Sequence, residues 1–341
     1  MNTVANVQKF VPNGEIAYSA GKTTKLELET GYFYTSHYLI FDYLLTVANG
    51  GTAPSGFKDF ARVANVIREL KITINDRDDI LRMSGFDLMA VYVADHGRFP
   101  STMKPVRGTN GQTRDILPIN QWTTNSDLIA LTGHDFRRAN KVELSITWGD
   151  AADLFTTAGG VAFDNFKMEI ESQGHHRYVS PVTGMLRQNG RPRRYNPAVR
   201  FFNRTVEKFD GSRSSVELGR IERTDERFTT KGVMMFAQRS NGLSNPNAFS
   251  GTITMRQGAT TLARVSVDVL RASHETAKGQ ETPKDVLYIP FSALFRNMDF
   301  LNSRRWTDDI IIEGDYTHAG SAGDDNTVTI MTDSYRQERL N

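Results

Sequence analysis

The sequence predicts an all-β chain built twice: two tandem sandwich or barrel domains, each with a short helix insertion. Three observations predict it. Short strands with alternating side chains recur along the chain, matched segments appear in the same order in both halves, and a helical pattern follows the corresponding strand in each half. Glu69-Leu70-Lys71-Ile72-Thr73-Ile74 is followed by Ile80-Leu81-Arg82 and Asp87-Leu88. Ser250-Gly251-Thr252-Ile253-Thr254-Met255 is followed by Leu262-Ala263-Arg264 and Asp268-Val269, an offset of 181 residues. Leu26-Glu27-Leu28 matches Val216-Glu217-Leu218 at 190, and Ile116-Leu117-Pro118 matches Tyr288-Ile289-Pro290 at 172. Ile146-Thr147-Trp148-Gly149-Asp150 matches Ile311-Ile312-Glu313-Gly314-Asp315 at 165. The drift in offset is what loops of different length produce, so the repeat unit is a whole domain.

Each element has its own signal. Lys25 to Glu29 alternates polar and apolar side chains, as a strand with one wet face does. Tyr38 to Val47 is a longer strand dense in aromatic and aliphatic residues. Val66 to Ile74 runs into the polar turn Asn75-Asp76-Arg77-Asp78-Asp79. Ser84 is placed to cap a helix from Gly85 to Ala94, in which Phe86, Met89, Ala90 and Val93 share one face. Lys141 to Trp148 alternates again, and Gly159-Gly160 turns the chain into a strand from Val161 to Ile170. In the second half, Ser215 to Ile221, Gly232 to Gln238, Gly251 to Met255, Asp309 to Ile312 and Thr327 to Met331 read as strands. Val265, Val269 and Ala272 are expected to form the inner face of the second helix. Inward strand positions are expected to include Leu26, Leu28, Ile72, Ile74, Leu144 and Ile146.

Composition bounds the function. The chain has 341 residues, 23% charged and 10% aromatic, with a formal net charge of +2. That is a globular balance with no overall polyanion preference. No cysteine is present, which excludes disulfides and thiolate metal sites. The start of the chain shows no secretory pattern, and the longest apolar run, Leu88 to Ala94, is far shorter than the about 20 residues a membrane span needs.

Catalytic motifs are scarce. No phosphate-binding glycine loop, zinc-protease helix or Gly-x-Ser-x-Gly elbow occurs. His175-His176 lacks a carboxylate at ligand spacing. Asp76, Asp78 and Asp79 lack the glycine and glutamate of a calcium loop and read as a hairpin turn. Asp150 and Asp153 are candidate paired carboxylates, but the repeat of Gly149-Asp150 as Gly314-Asp315 favours a structural turn. Asp324-Asp325 reads as a turn. The reading is therefore no enzyme, no catalytic, cofactor or metal residue, and no cofactor.

The texture of Thr23 to Gly31 leading into His37-Tyr38-Leu39-Ile40-Phe41, of Ile72 to Leu88, and of Val142 to Gly149 resembles the double jelly-roll major capsid proteins. These belong to tailless, membrane-containing icosahedral phages of the tectivirus, corticovirus and autolykivirus groups, with adenovirus hexon as a larger relative. The resemblance implies two tandem eight-stranded antiparallel jelly rolls standing side by side. It places an N-terminal arm at residues 1–14, a first roll at 15–173, a linker at 174–204 and a second roll at 205–338. It also implies a structural subunit whose homotrimers have a pseudo-hexagonal outline and tile an icosahedral shell over an internal membrane. Implied partners are neighbouring trimers, penton and minor capsid proteins and, peripherally, lipid, with no direct nucleic acid. Implied location is the virion capsid, after synthesis in the host cytoplasm.

Two other classes fit a duplicated β protein. A carbohydrate-binding or carbohydrate-active double sandwich would use aromatic platforms such as Trp122, Trp148 or Trp306, or a close carboxylate pair. A bicupin-like enzyme would need a histidine cluster on strands, which the spacing of His37, His96, His134, His175, His176, His274 and His318 does not show. One stretch stands apart. From Arg177 to Arg204 there are seven arginines (Arg177, Arg187, Arg191, Arg193, Arg194, Arg200, Arg204) and no acidic residue, while the rest of the chain holds 34 basic against 39 acidic residues. In a jelly roll the first and last strands are neighbours, so both ends of each domain share a pole with the linker. With the implied orientation, these arginines would face anionic lipid.

Overall fold

A computed structural model describes residues 8–47, 56–104, 112–120, 133–137, 139–155, 161–175, 187–188, 191–192, 198–223, 228–291, 301–302, 307–321 and 323–337. The first roll contains β1 (Gln8–Ala17), β2 (Thr23–Glu27), β3 (Phe33–Val47), β4 (Ile67–Ile74), β5 (Asp78–Met83), α1 (Gly85–His96), β6 (Thr113–Asn120), β7 (His134–Asp135), β8 (Val142–Trp148) and β9 (Val161–His175). A two-residue pair follows, β10 (Arg187–Gln188) with β11 (Arg191–Pro192). The second roll contains β12 (Ala198–Phe209), β13 (Arg213–Ile221), β14 (Phe228–Gln238), β15 (Phe249–Gln257), β16 (Thr260–Ser266), α2 (Val267–Lys278), β17 (Leu287–Pro290), β18 (Leu301–Asn302), β19 (Ile310–Tyr316) and β20 (Asn326–Gln337).

The sheets repeat strand for strand. In the first roll β1-β9-β3-β6 faces β2-β8-β4-β5, and in the second β12-β20-β14-β17 faces β13-β19-β15-β16. Short β7 joins β3, and β18 joins β14 at the same place. All pairings are antiparallel, so each roll is a pair of four-stranded jelly-roll sheets. In both copies the first strand pairs with the last: Gln8 lies opposite His175, and Ala198 opposite Gln337.

Alternation drives the packing. In β8, Val142, Leu144, Ile146 and Trp148 are fully buried while Glu143, Ser145 and Thr147 face outward, and β19 shows the same alternation. Trp148 donates from Nε1 to Thr24 Oγ1 at 2.7 Å and meets Tyr18 and Phe166 edge-on, so it is a core residue and not a sugar platform. Leu28, Ile72, Leu144 and Ile146 are buried, with Leu26 and Ile74 partly buried against the same core.

Several expectations change. Pairing takes in residues assigned to the arm and the linker: β1 begins at Gln8, and β12 at Ala198. A bulge between Pro12 and Gly14 keeps these two breakers within an edge strand. Gly314-Asp315 lies inside β19, whereas Gly149-Asp150 follows β8, so the two are not one repeated turn. Asp153 instead accepts from Asp150 N at 3.0 Å and pairs with Arg68 at 2.9 Å. Asp76 and Asp79 pair with Lys141 and Lys71 around the β4–β5 turn.

The helices are capped alike but packed differently. Ser84 accepts from Asp87 N at 3.1 Å, Ser266 accepts from Val269 N at 3.2 Å, and the left-handed glycines Gly97 and Gly279 end the two helices. Both caps are 182 residues apart, so Asp87 corresponds to Val269 and not to Asp268. The buried residues of α2 are Val267, Leu270 and His274. Val265 belongs to β16, and Val269 and Ala272 face solvent.

Candidate functional site

The densest polar arrangement lies at the seam between the rolls, where α1 rests on the outer face of the β12-β20-β14-β17 sheet. α1 is buried along most of its length, with Tyr92 and His96 part-exposed, and its two buried acids Asp87 and Asp95 each meet an arginine. Phe86 packs on Phe236 of β14 with ring centroids 5.0 Å apart. Val199, Met234, Phe236, Val286, Tyr288 and Met331 of the second roll join the first roll's apolar core, while the second roll keeps a separate core between its own sheets.

Arg200 on β12 lies at the centre and has no solvent exposure. Its Nη1 and Nη2 donate to the Asp95 carboxylate of α1 at 2.6 and 2.8 Å. Nε and Nη2 donate to the Asp333 carboxylate of β20 at 2.8 Å each, and Nη1 also reaches Asn120 O at 3.2 Å. Five bonds match the five N–H groups of a guanidinium. The ring of Phe202 lies beneath the guanidinium, 4.9 Å away. Burial alone would raise the Asp95 carboxyl, but the Arg200 charge and hydrogen bonds outweigh it and hold the group below the usual range. Nearby, Arg204 Nε lies 3.4 Å from Asp87 Oδ1 at the start of α1.

The far end of α1 is finished by the other roll. An α-helix leaves its last carbonyls without partners. Here His274 Nε2 donates to Ala94 O at 2.9 Å, Lys278 Nζ to Asp95 O, and Gln280 Nε2 to His96 O at 2.8 Å, all from α2 or just beyond it. A Cβ on Gly97 would lie 2.8 Å from Lys278 Cβ, so the contact is close. Chemically this is a fixed joint: Arg200 bridges two carboxylates and the end of α1 is capped by side chains of the other roll.

A second buried polar group lies inside the first roll. His37 Nδ1 is 2.7 Å from Ser172 Oγ and His37 Nε2 is 3.0 Å from His134 Nδ1, with the Phe136 ring stacked on both imidazoles. Both rings are fully buried, and burial lowers the pKa of His37 to about 4 and that of His134 well below its ordinary value.

The seven arginines of the basic stretch do not form one surface. Arg200 is a correction: it is fully enclosed and faces neither solvent nor lipid, because Asp95 and Asp333 draw it into the seam. Arg204 is half-exposed and pairs with Asp87. Arg187 and Arg191 lie on β10 and β11. Arg177, Arg193 and Arg194 lie outside the described residues, as do His176, Trp122 and Trp306. Two sequence signals mark the seam in retrospect: an arginine set among Val199, Phe201 and Phe202, and a helix whose apolar residues, Phe86, Leu88, Met89, Ala90, Val91, Val93 and Ala94, are not confined to one face.

No family model and no curated protein matches the chain by sequence. Solved structures do match. The STIV major capsid protein, from Sulfolobus turreted icosahedral virus, aligns at TM-score 0.70 and 14% identity over 97% of this chain and 96% of its own. The major capsid protein P2 of bacteriophage PM2 aligns at 0.59 and 10% over 98% and 99%. The PBCV-1 virus capsid structure aligns at 0.61 and 8% over 100% and 99%. At these identities the likeness is one of fold: the chain shares the double jelly-roll architecture of these capsid proteins over its whole length.

Proposed function

We propose that the chain is a major capsid protein whose homotrimers, six rolls in a pseudo-hexagonal outline, tile an icosahedral shell over an internal membrane. The observation that carries the reading is the seam. A buried bidentate arginine and cross-roll helix capping hold two rolls in one orientation, as a tile requires and a pair of independent binding modules does not. Penton and minor capsid proteins complete the partners, the virion shell is the location after synthesis in the host cytoplasm, and no catalytic step is involved. The carbohydrate alternative is weaker: Trp148 is interior, and a pocket of about 230 Å³ beside Arg204 is lined by Arg220, Glu222 and Arg223 with no aromatic ring.

The membrane contact is assigned to Arg177, Arg187, Arg191, Arg193 and Arg194. First and last strands are paired in both rolls, which supports a pole shared by the ends of both domains. Each such arginine contributes about 1 kcal/mol near an anionic surface. Changing Arg191, Arg193 and Arg194 to glutamine should weaken binding to anionic vesicles, most at low salt. The assembly itself is tested by light scattering and electron microscopy of the purified protein. Triangular or hexagonal particles of three chains are expected, and monomer at every concentration would overturn the reading.

A further inference from the structure

The duplication supplies a comparison for the buried histidine pair of the first roll. β7 on β3 and β18 on β14 share a register, which sets Tyr34–His134 in the place of Thr230–Leu301. A bulge against the last strand follows in both rolls, between Tyr34 and Ser36 in the first and between Thr230 and Gly232 in the second. One step further on, His37 lies opposite Ser172, and Val233 opposite Thr332. So Val233 and Leu301 stand where the first roll has His37 and His134, and Val233 is fully buried in an apolar core. The architecture closes this end of a roll without an imidazole, yet the first roll encloses two of the chain's seven histidines there.

The pair belongs to one chain of bonds across four strands. His134 Nδ1 bonds His37 Nε2, and His37 Nδ1 bonds Ser172 Oγ. Asn13 Nδ2 donates to Ser172 Oγ at 2.7 Å, and Asn13 Oδ1 accepts from Glu29 N at 2.9 Å. The last atom, His134 Nε2, is buried and meets no partner among the described residues. The neutral pair satisfies the His–His and His–Ser contacts in either tautomer order. With one more proton, either order leaves a buried imidazolium, and an N–H at His134 Nε2 that nothing accepts. No counter-charge stands by: among the described residues no carboxylate contacts either ring. The groups packed on the network are Tyr34 of β3, Phe136, Ser172 of β9 and Asn13 of β1, all neutral. Charged side chains on the same segments are engaged or turned away. Lys9 of β1 reaches Tyr32 Oη at 3.3 Å, Asp135 of β7 pairs with Arg137 at 2.6 Å, Glu29 is exposed, and Glu171 takes the opposite face of β9 from Ser172.

We propose that His37 and His134 form an acid-operated latch, in which protonation of the pair releases β7 from β3 and opens that end of the first roll while the second roll stays closed. β7 suits the part because it is short. It is two residues long, and its segment is held to the roll by pairing with Phe33 and Tyr34, by Phe136 N donating to Tyr32 O at 2.9 Å and by Gly31 N donating to Phe136 O at 3.0 Å. Near neutral pH burial keeps both imidazoles uncharged, and the latch is shut. The device is a property of the first roll and does not depend on the capsid reading. In an assembled shell it would loosen one roll of every subunit in acid and leave the other as the frame.

Hydrogen–deuterium exchange of the purified full chain tests it, read by mass spectrometry at pH 7 and pH 4 and corrected for the intrinsic exchange rate at each pH. Protection of residues 33–37 and 133–137 should fall on the order of a hundredfold, the factor that a folded pKa of about 4 against 6.5 gives at pH 4 for His37 alone. Residues 229–233, at the matching place in the second roll, should keep their protection. His37→Val combined with His134→Leu, which copies the second roll, should abolish the fall. Unchanged protection of residues 133–137 at pH 4 in the unaltered chain overturns the latch, and that result needs no variant to fold. Equal loss in both rolls also overturns it, since that is general acid unfolding, as does a folded double variant that loses protection like the unaltered chain.

Discussion

Replacing Arg200 by methionine removes the charge from the seam while filling most of the volume. Two carboxylates, Asp95 and Asp333, are then left almost fully enclosed and facing each other without a cation. Removing one partner of a buried ion pair costs about 3–5 kcal/mol, against a total stability of about 5–15 kcal/mol for a folded domain. Urea unfolding at pH 7 measures it. Acid provides an internal check. In the variant the unpaired carboxyls have folded pKa values above their unfolded ones, so falling pH stabilises the variant relative to wild type and narrows the gap. The triple change Asp95→Leu, Arg200→Met, Asp333→Leu removes all three charges and should restore stability to wild type or above. A cost below about 1 kcal/mol for the single change, or a triple variant as unstable as the single one, would refute the seam as an electrostatic joint.

Two further outcomes follow from buried groups. The folded pKa of His37 is about 4 against 6.5 for the unfolded chain, so its contribution is fully present above pH 6.5 and is lost as pH falls toward 4. About 2.5 units at 1.36 kcal/mol each is about 3 kcal/mol; the stability difference between pH 7 and pH 4 should therefore shrink by that amount in His37→Asn, and an unchanged difference would count against a neutral buried imidazole. Gly85 opens α1 against the Ala64 carbonyl, which a Cβ would overlap, so Gly85→Ala should cost about 1–3 kcal/mol by overpacking, measured by thermal unfolding, although alanine is the better helix former.

The duplication, the alternating strands β2, β4, β8, β15 and β19 and the Ser84 cap were all legible in the sequence, because each is set by residues close together in the chain. β1 and β12 were not. The arm at 1–14 came from the resemblance, and β1 holds Pro12 and Gly14 in the sheet only because an edge strand tolerates a bulge there. The inner face of α2 was misplaced because its cap, Ser266, went unrecognised, and the helical period was started two residues early. Arg200 read as one arginine of a basic stretch. Its partners are 105 and 133 residues away, and no local pattern announces a contact of that range.

The finishing of α1 by side chains near residue 280 has a consequence for how the protein is made. His96 O waits for Gln280, 184 residues later in the chain. At about 5–20 residues per second, a ribosome needs roughly 10–40 s to supply them. For that interval the first roll emerges with the apolar flank of α1 bare and its last turn unsatisfied. Nascent chains are then most exposed to mispairing with one another, and the exposure ends only when the second half has been made.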